Sequence, residues 1–153
     1  MHVSPIFWQL THMPILCDML AFTALILAIW WARKFGAASL VGLIVTILTF
    51  SVNPAAFQML GFLAASIFFD VMTRSLGYER LFRNLTWGGM VLAVISVLSA
   101  GLAGAIIGTY VMGLGTPQAT LTFAGLHGIG GLIGAIIGVV LVKALVVRRV
   151  KHD

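Results

Sequence analysis

Apolar residues in this chain gather into five long runs, at roughly 14–32, 36–52, 55–73, 86–112 and 118–147. The runs do not alternate with a period of two, and they show no narrow stripe of period 3.6. They are apolar all round, which is the pattern of helices immersed in an apolar medium. Roughly 20 helical residues cross a hydrocarbon core of about 30 Å. Lipid offers the backbone no hydrogen-bond partners, and these runs are far too long for barrel strands, so each is expected to be a helix. The pattern predicts an all-α, multi-span transmembrane helix bundle of about five spans. The second run is short, and reads either as a thin span or as a re-entrant segment. A helix of about 30 residues measures about 45 Å, so the last two runs must tilt, protrude or break. The expected break in the fifth is "GLHGIGG", where Gly125, Gly128, Gly130 and Gly131 weaken the helix.

The charged positions give the runs a direction. Arg33 and Lys34 follow the first run, and Arg74, Arg80 and Arg83 fall between the third and fourth. Lys143, Arg148, Arg149 and Lys151 close the fifth. With five crossings all of these lie on one side, while residues 1–13, "SVNP" and "GLGTPQAT" carry no Lys or Arg. The bias of basic residues toward the cytoplasm then predicts the N-terminus outside and the C-terminus inside. The expected organisation is one integral membrane domain over 1–153. It has an outer-face segment at 1–13, a cytoplasmic connection at 74–85 and a basic tail at 148–153. That connection reads as a short interfacial helix in which Glu79 and Arg83 are spaced i,i+4.

Composition narrows the class. Apolar residues make up 61% of the chain and charged residues 8%, against about 25% charged in soluble domains. No small globule hides that much apolar surface, so the expected location is the cell membrane, as a multi-pass protein. The net charge of +5 would suggest nucleic acid in a soluble protein, but here the basic residues sit at the ends of apolar runs and no nucleic-acid partner is expected. Cys17 is the only cysteine, so no internal disulfide is expected. The opening residues lack the basic start and cleavage site of a secretory signal, and no lipidation motif is expected at either end.

Small residues recur every four positions at Gly130, Gly134 and Gly138, at Gly104 and Gly108, and at Ala38 and Gly42. Such rows let helix backbones approach closely in lipid. They serve either the packing of this chain or the docking of a partner subunit.

Ionisable groups at membrane depth are costly and mark candidate sites. His127 is either a neutral histidine bonded to Ser96 or Ser99, or an imidazole that binds ligand or metal or relays protons. Asp18 is either an interfacial carboxylate reaching water, a counter-charge for a cationic ligand, or a metal ligand beside His12. Asp70 reads as an i,i+4 partner of Arg74, with a basic cytoplasmic partner as the alternative. An outward-facing pocket is expected to draw on His12, Asp18, Asn53, Gln58, Gln118 and His127 for substrate. His2, His12 and His127 are the candidate metal ligands. Residues 1–13 read as a lid over that pocket or as a tail lying on the membrane. No phosphate-binding glycine loop and no Ser–His–Asp set are present, so no enzyme activity and no resident cofactor are expected.

The segments "FGAASLVGLIVTILTF", "LGFLAASIFFDVM" and "GLHGIGGLIGAIIGVVLVKAL" resemble the membrane-embedded, substrate-binding S components of energy-coupling factor (ECF) transporters. The likeness runs over residues 14 to 150. The family has six spans with both ends inside, and the runs here match its later five. "MHVSP" shares Met1 and His2 with the cobalt- and nickel-type members, and the resemblance implies that the terminal amine and His2 bind metal. It further implies uptake of a vitamin-like small molecule or metal ion, with a coupling membrane subunit and cytoplasmic ATPases as partners. A structural or assembly subunit of a larger membrane complex is the alternative. A haem or metal enzyme using His127 with His12 is a third reading.

Overall fold

The structure, a computed structural model, describes residues 14–148. Among these it is all helical: α1 (Pro14–Ala32), α2 (Ala37–Val52), α3 (Gln58–Leu76), α4 (Tyr78–Arg83), α5 (Leu85–Ile106) and α6 (Pro117–Val147). α5 continues into a π-helical turn, Ile107–Val111. Four helices are long and apolar enough to cross a membrane: Ile15–Ala32, Gln58–Leu76, Leu85–Val111 and Pro117–Val147. α2 has 16 residues, about 24 Å of helix, and is too short to match the core alone. It is nevertheless one unbroken helix lying along α3, without the bend of a re-entrant segment.

The helix ends follow local chemistry. Asn84 caps α5, its side-chain oxygen accepting from the Thr86 and Trp87 N–H groups. Thr116 caps α6 by accepting from Ala119 N–H, and Pro117 supplies a φ already suited to the first turn. Gly36 and Gly77 take the left-handed φ values of 96° and 85° at the α1–α2 and α3–α4 corners.

Short connections make sequential helices antiparallel neighbours. α6 packs between α1 and α5, α3 packs between α2 and α5, and α1 meets α2, which closes the ring. α6 runs parallel to α1, because Gly130 meets Ile15 and Asp18, Gly134 meets Met19, and Gly138 meets Ile26. The Thr23 hydroxyl crosses this seam to the Gly134 carbonyl at 3.0 Å. Phe22 and Phe69 fill the centre edge to face, 5.9 Å between centroids. Every Lys and Arg among the described residues lies toward one end of the bundle, with α4. The opposite end, formed by the α2–α3 and α5–α6 connections and the start of α1, has none.

Three sequence expectations are corrected here. The "GLHGIGG" stretch does not break the last helix, since α6 is continuous over 31 residues. Gly128 and Gly131 lie against α5 and Gly130 against α1, and an interruption would leave backbone groups without partners in lipid. The irregular turn falls instead in α5, at Ile107–Val111. Asp70 is not the i,i+4 partner of Arg74, which stacks over the Phe35 ring. The Asp70 carboxylate is fully buried and accepts from the Gly36 N–H (2.9 Å), the Ser39 N–H (3.0 Å), the Ser39 hydroxyl (2.8 Å) and the Tyr78 hydroxyl (3.2 Å). It therefore sits at the start of α2, where free N–H groups and the helix dipole favour an anion, and ties α2, α3 and α4 together. Glu79 likewise pairs across the connection with Arg33 at 3.0 Å, not within α4 with Arg83.

Burial, and then the Asp70 charge, raise the Tyr78 pKa above its ordinary value of 10.0. The folded state thus holds the phenol proton more tightly than the unfolded chain does. Its stabilising contribution is whole below about pH 10 and is lost as pH rises through the folded value. In Asp70→Asn the tyrosinate absorbance is expected to develop at lower pH than in wild type. An unchanged titration would show that the carboxylate does not act on the phenol.

Candidate functional site

The polar centre of the bundle is a pair. His127 Nδ1 lies 2.5 Å from Asp18 Oδ2, and each residue is 6% exposed. Asp18 comes from the first turns of α1, and His127 from α6, ten residues past Pro117. The parallel α1–α6 seam brings them level, because Gly130 admits α1 so closely that a Cβ there would lie 2.8 Å from the Asp18 Cβ. On the other side Gly104 of α5 makes room for the ring, since its Cβ would lie 2.8 Å from His127 Cδ2. Phe123, one turn earlier, meets the imidazole edge to face at 4.8 Å.

Nδ1 is committed to the carboxylate. Nε2 is buried and has no hydrogen-bond partner among the described residues. A buried polar atom without a partner is uncommon and costs on the order of 1–3 kcal/mol. The Ser96 hydroxyl on α5 is also buried and without a partner among the described residues, whereas Ser99 donates to its own helix at Ile95 O. His127 therefore bonds neither serine.

The other sequence candidates are placed elsewhere. Asn53 is exposed and turns the α2–α3 connection, accepting from Ala55 N–H at 3.2 Å. Gln58 and Gln118 are exposed at the starts of α3 and α6. None of the three joins the Asp18–His127 pair. His2 and His12 lie outside the described residues. Among the described residues no group of three His, Cys, Asp or Glu is disposed to hold a metal ion.

The small-residue rows close on the chain itself. Ala38 is buried, and Gly42 faces Ser66 of α3. Gly104 faces Ala124 and His127, and Gly108 faces Leu114 and Phe123. Gly130, Gly134 and Gly138 face α1. These contacts are internal, for the reason small residues are used in lipid: they let backbones touch.

Sequence reasoning passed over Phe123, the ring packed on His127, and read Ser96 as a partner of His127 where it is an orphaned hydroxyl among the described residues. No local motif signals either one, because both roles depend on which helix lies opposite.

No family model, no curated protein and no solved structure matches this chain.

Proposed function

We propose that this multi-pass protein is the membrane-embedded substrate-binding subunit of an uptake transporter, and that Asp18 and His127 form the polar centre of its ligand site. The observation that carries the reading is the Nε2, unpartnered among the described residues, of a buried histidine whose other nitrogen is fixed by a carboxylate. A fixed imidazole of this kind accepts a hydrogen bond or holds a proton with little reorganisation. The end of the bundle nearer the pair lacks Lys and Arg among the described residues, which favours a neutral or cationic ligand with an N–H or O–H donor over an anion. A small molecule is favoured over a metal ion, because the pair supplies too few ligands among the described residues. The basic end, with Arg33, Lys34, Arg74, Arg80 and Arg83, would face the cytoplasm, where a coupling subunit and ATPases would act. The glycine rows close within the chain, so they support neither this reading nor the assembly-subunit reading as partner-docking surfaces.

Mass spectrometry of extracts from the purified protein tests this. Wild type is expected to retain a small molecule that is lost from folded Asp18→Asn and His127→Gln. Repeated wild-type preparations that carry no ligand and bring down no ATPase would overturn the proposal.

A further inference from the structure

The net charge of the Asp18–His127 pair leads to a second assignment. An ionised Asp18 beside a neutral His127 would place one uncompensated negative charge in a site where both side chains are more than nine-tenths buried. Burying an uncompensated carboxylate costs several kcal/mol even after relaxation. Among the described residues no other charged group supplies the balance. On α1 the neighbouring titratable group is the exposed Cys17 thiol, and α5, packed opposite, presents Ser96, Ser99 and Gly104, none of which titrates. The exposed Tyr110 lies on the π-helical turn. Along α6 the first cation is Lys143, sixteen residues or about 24 Å from His127. Asp70, Tyr78, Glu79 and the other described basic residues belong to the opposite end.

We infer that Asp18 and His127 together form a binding site for one proton, held as carboxylate with imidazolium or as carboxylic acid with imidazole. Either form is neutral overall. Nδ1 is engaged with the carboxylate in both, so the proton exchanges through Nε2, the ring nitrogen without a partner among the described residues. Losing that proton leaves the pair with one negative charge, so it departs only when a cationic group takes its place. Binding of a cationic ligand at Nε2 would then release one proton, and ligand affinity would rise tenfold per pH unit over the range of exchange. The assignment concerns the pair without ligand. It can fail while the ligand reading stands, and it can hold in a protein that retains no ligand.

The proton is counted in lipid bilayers at pH 7 by two signals. Nitrogen-15 NMR of labelled histidine distinguishes imidazolium from imidazole, and His127 is picked out from His2, His12 and His152 by its loss in His127→Gln. Infrared absorption reports a protonated Asp18 as a carboxylic-acid band absent from Asp18→Asn. Wild type is expected to show one of the two signals, the imidazolium or the acid band. In Asp18→Asn, folding being checked by circular dichroism, His127 is expected to be neutral. Should that variant not fold, His127→Gln gives an independent answer, because a lone Asp18 there must show the acid band. A wild-type pair with ionised Asp18 and neutral His127 overturns the inference, as does an ionised Asp18 in folded His127→Gln.

Discussion

His127→Leu is expected to destabilise the bundle by about 3–5 kcal/mol, the cost of removing one member of a buried ionisable pair and protonating the other at neutral pH. Leucine is close enough in size to limit the cavity, so the loss reports the Asp18 carboxyl stranded between α1 and α6. The reverse change, Asp18→Leu, should cost less, about 1–3 kcal/mol. A neutral imidazole with an unpartnered N–H is cheaper to bury than a carboxyl group that must take up a proton at neutral pH, well above its ordinary pKa. The double variant Asp18→Leu/His127→Leu should recover most of the loss, since apolar replacement of a whole buried pair is often neutral. Reversible unfolding in mixed micelles measures all three. Equal losses in the two single variants, adding in the double, would show that the side chains are not coupled.

Gly88→Ala is expected to cost about 3 kcal/mol or more, by a different route. A Cβ at this position would lie 1.7 Å from the Leu81 carbonyl oxygen and 2.6 Å from its carbon. Both atoms are backbone, so no rotamer change relieves the overlap, and α4 must lift away from α5. Leu81 is fully buried and Phe82 nearly so, and both would lose their cover. Gly125→Ala is the control. It makes the same chemical change within a helix, at a site with nothing within 4 Å of the new Cβ. There the better helix propensity of alanine should stabilise by about 0.5–1 kcal/mol. Thermal unfolding of the two variants should therefore move in opposite directions. A tolerated Gly88→Ala would mean that α4 does not seat against α5 as described.

Asp18 and His127 were each legible as candidates, because an ionisable group in an apolar run stands out. Their partnership was not. Counted along the sequence, Asp18 falls one turn into the first run and His127 about nine residues into the last, which suggests different depths. The difference disappears because α6 extends past the described start of α1, and Gly130 sets the two helices level. Asp70 shows the same gap. The nearest opposite charge in sequence is Arg74, but the free N–H groups at the start of α2 are better placed and give two hydrogen bonds to one oxygen. Asn53, Gln58 and Gln118 were grouped by their position near one end of the runs. Polar residues at helix ends are already satisfied by water and turns, so nothing draws them together.

The sequence by itself determined that the chain is a bundle of apolar helices, roughly where each helix lies, and that its basic residues collect at one end. Those properties follow from residue type and spacing, which act locally through hydration and backbone hydrogen bonding. Only the tertiary structure decided which faces meet, that the glycine rows are filled from within, that α6 stays unbroken, and that a carboxylate and an imidazole 109 residues apart share a hydrogen bond. In an apolar medium many helix faces are nearly equivalent, and the choice among them falls to close packing and to the need of each buried polar group for a partner.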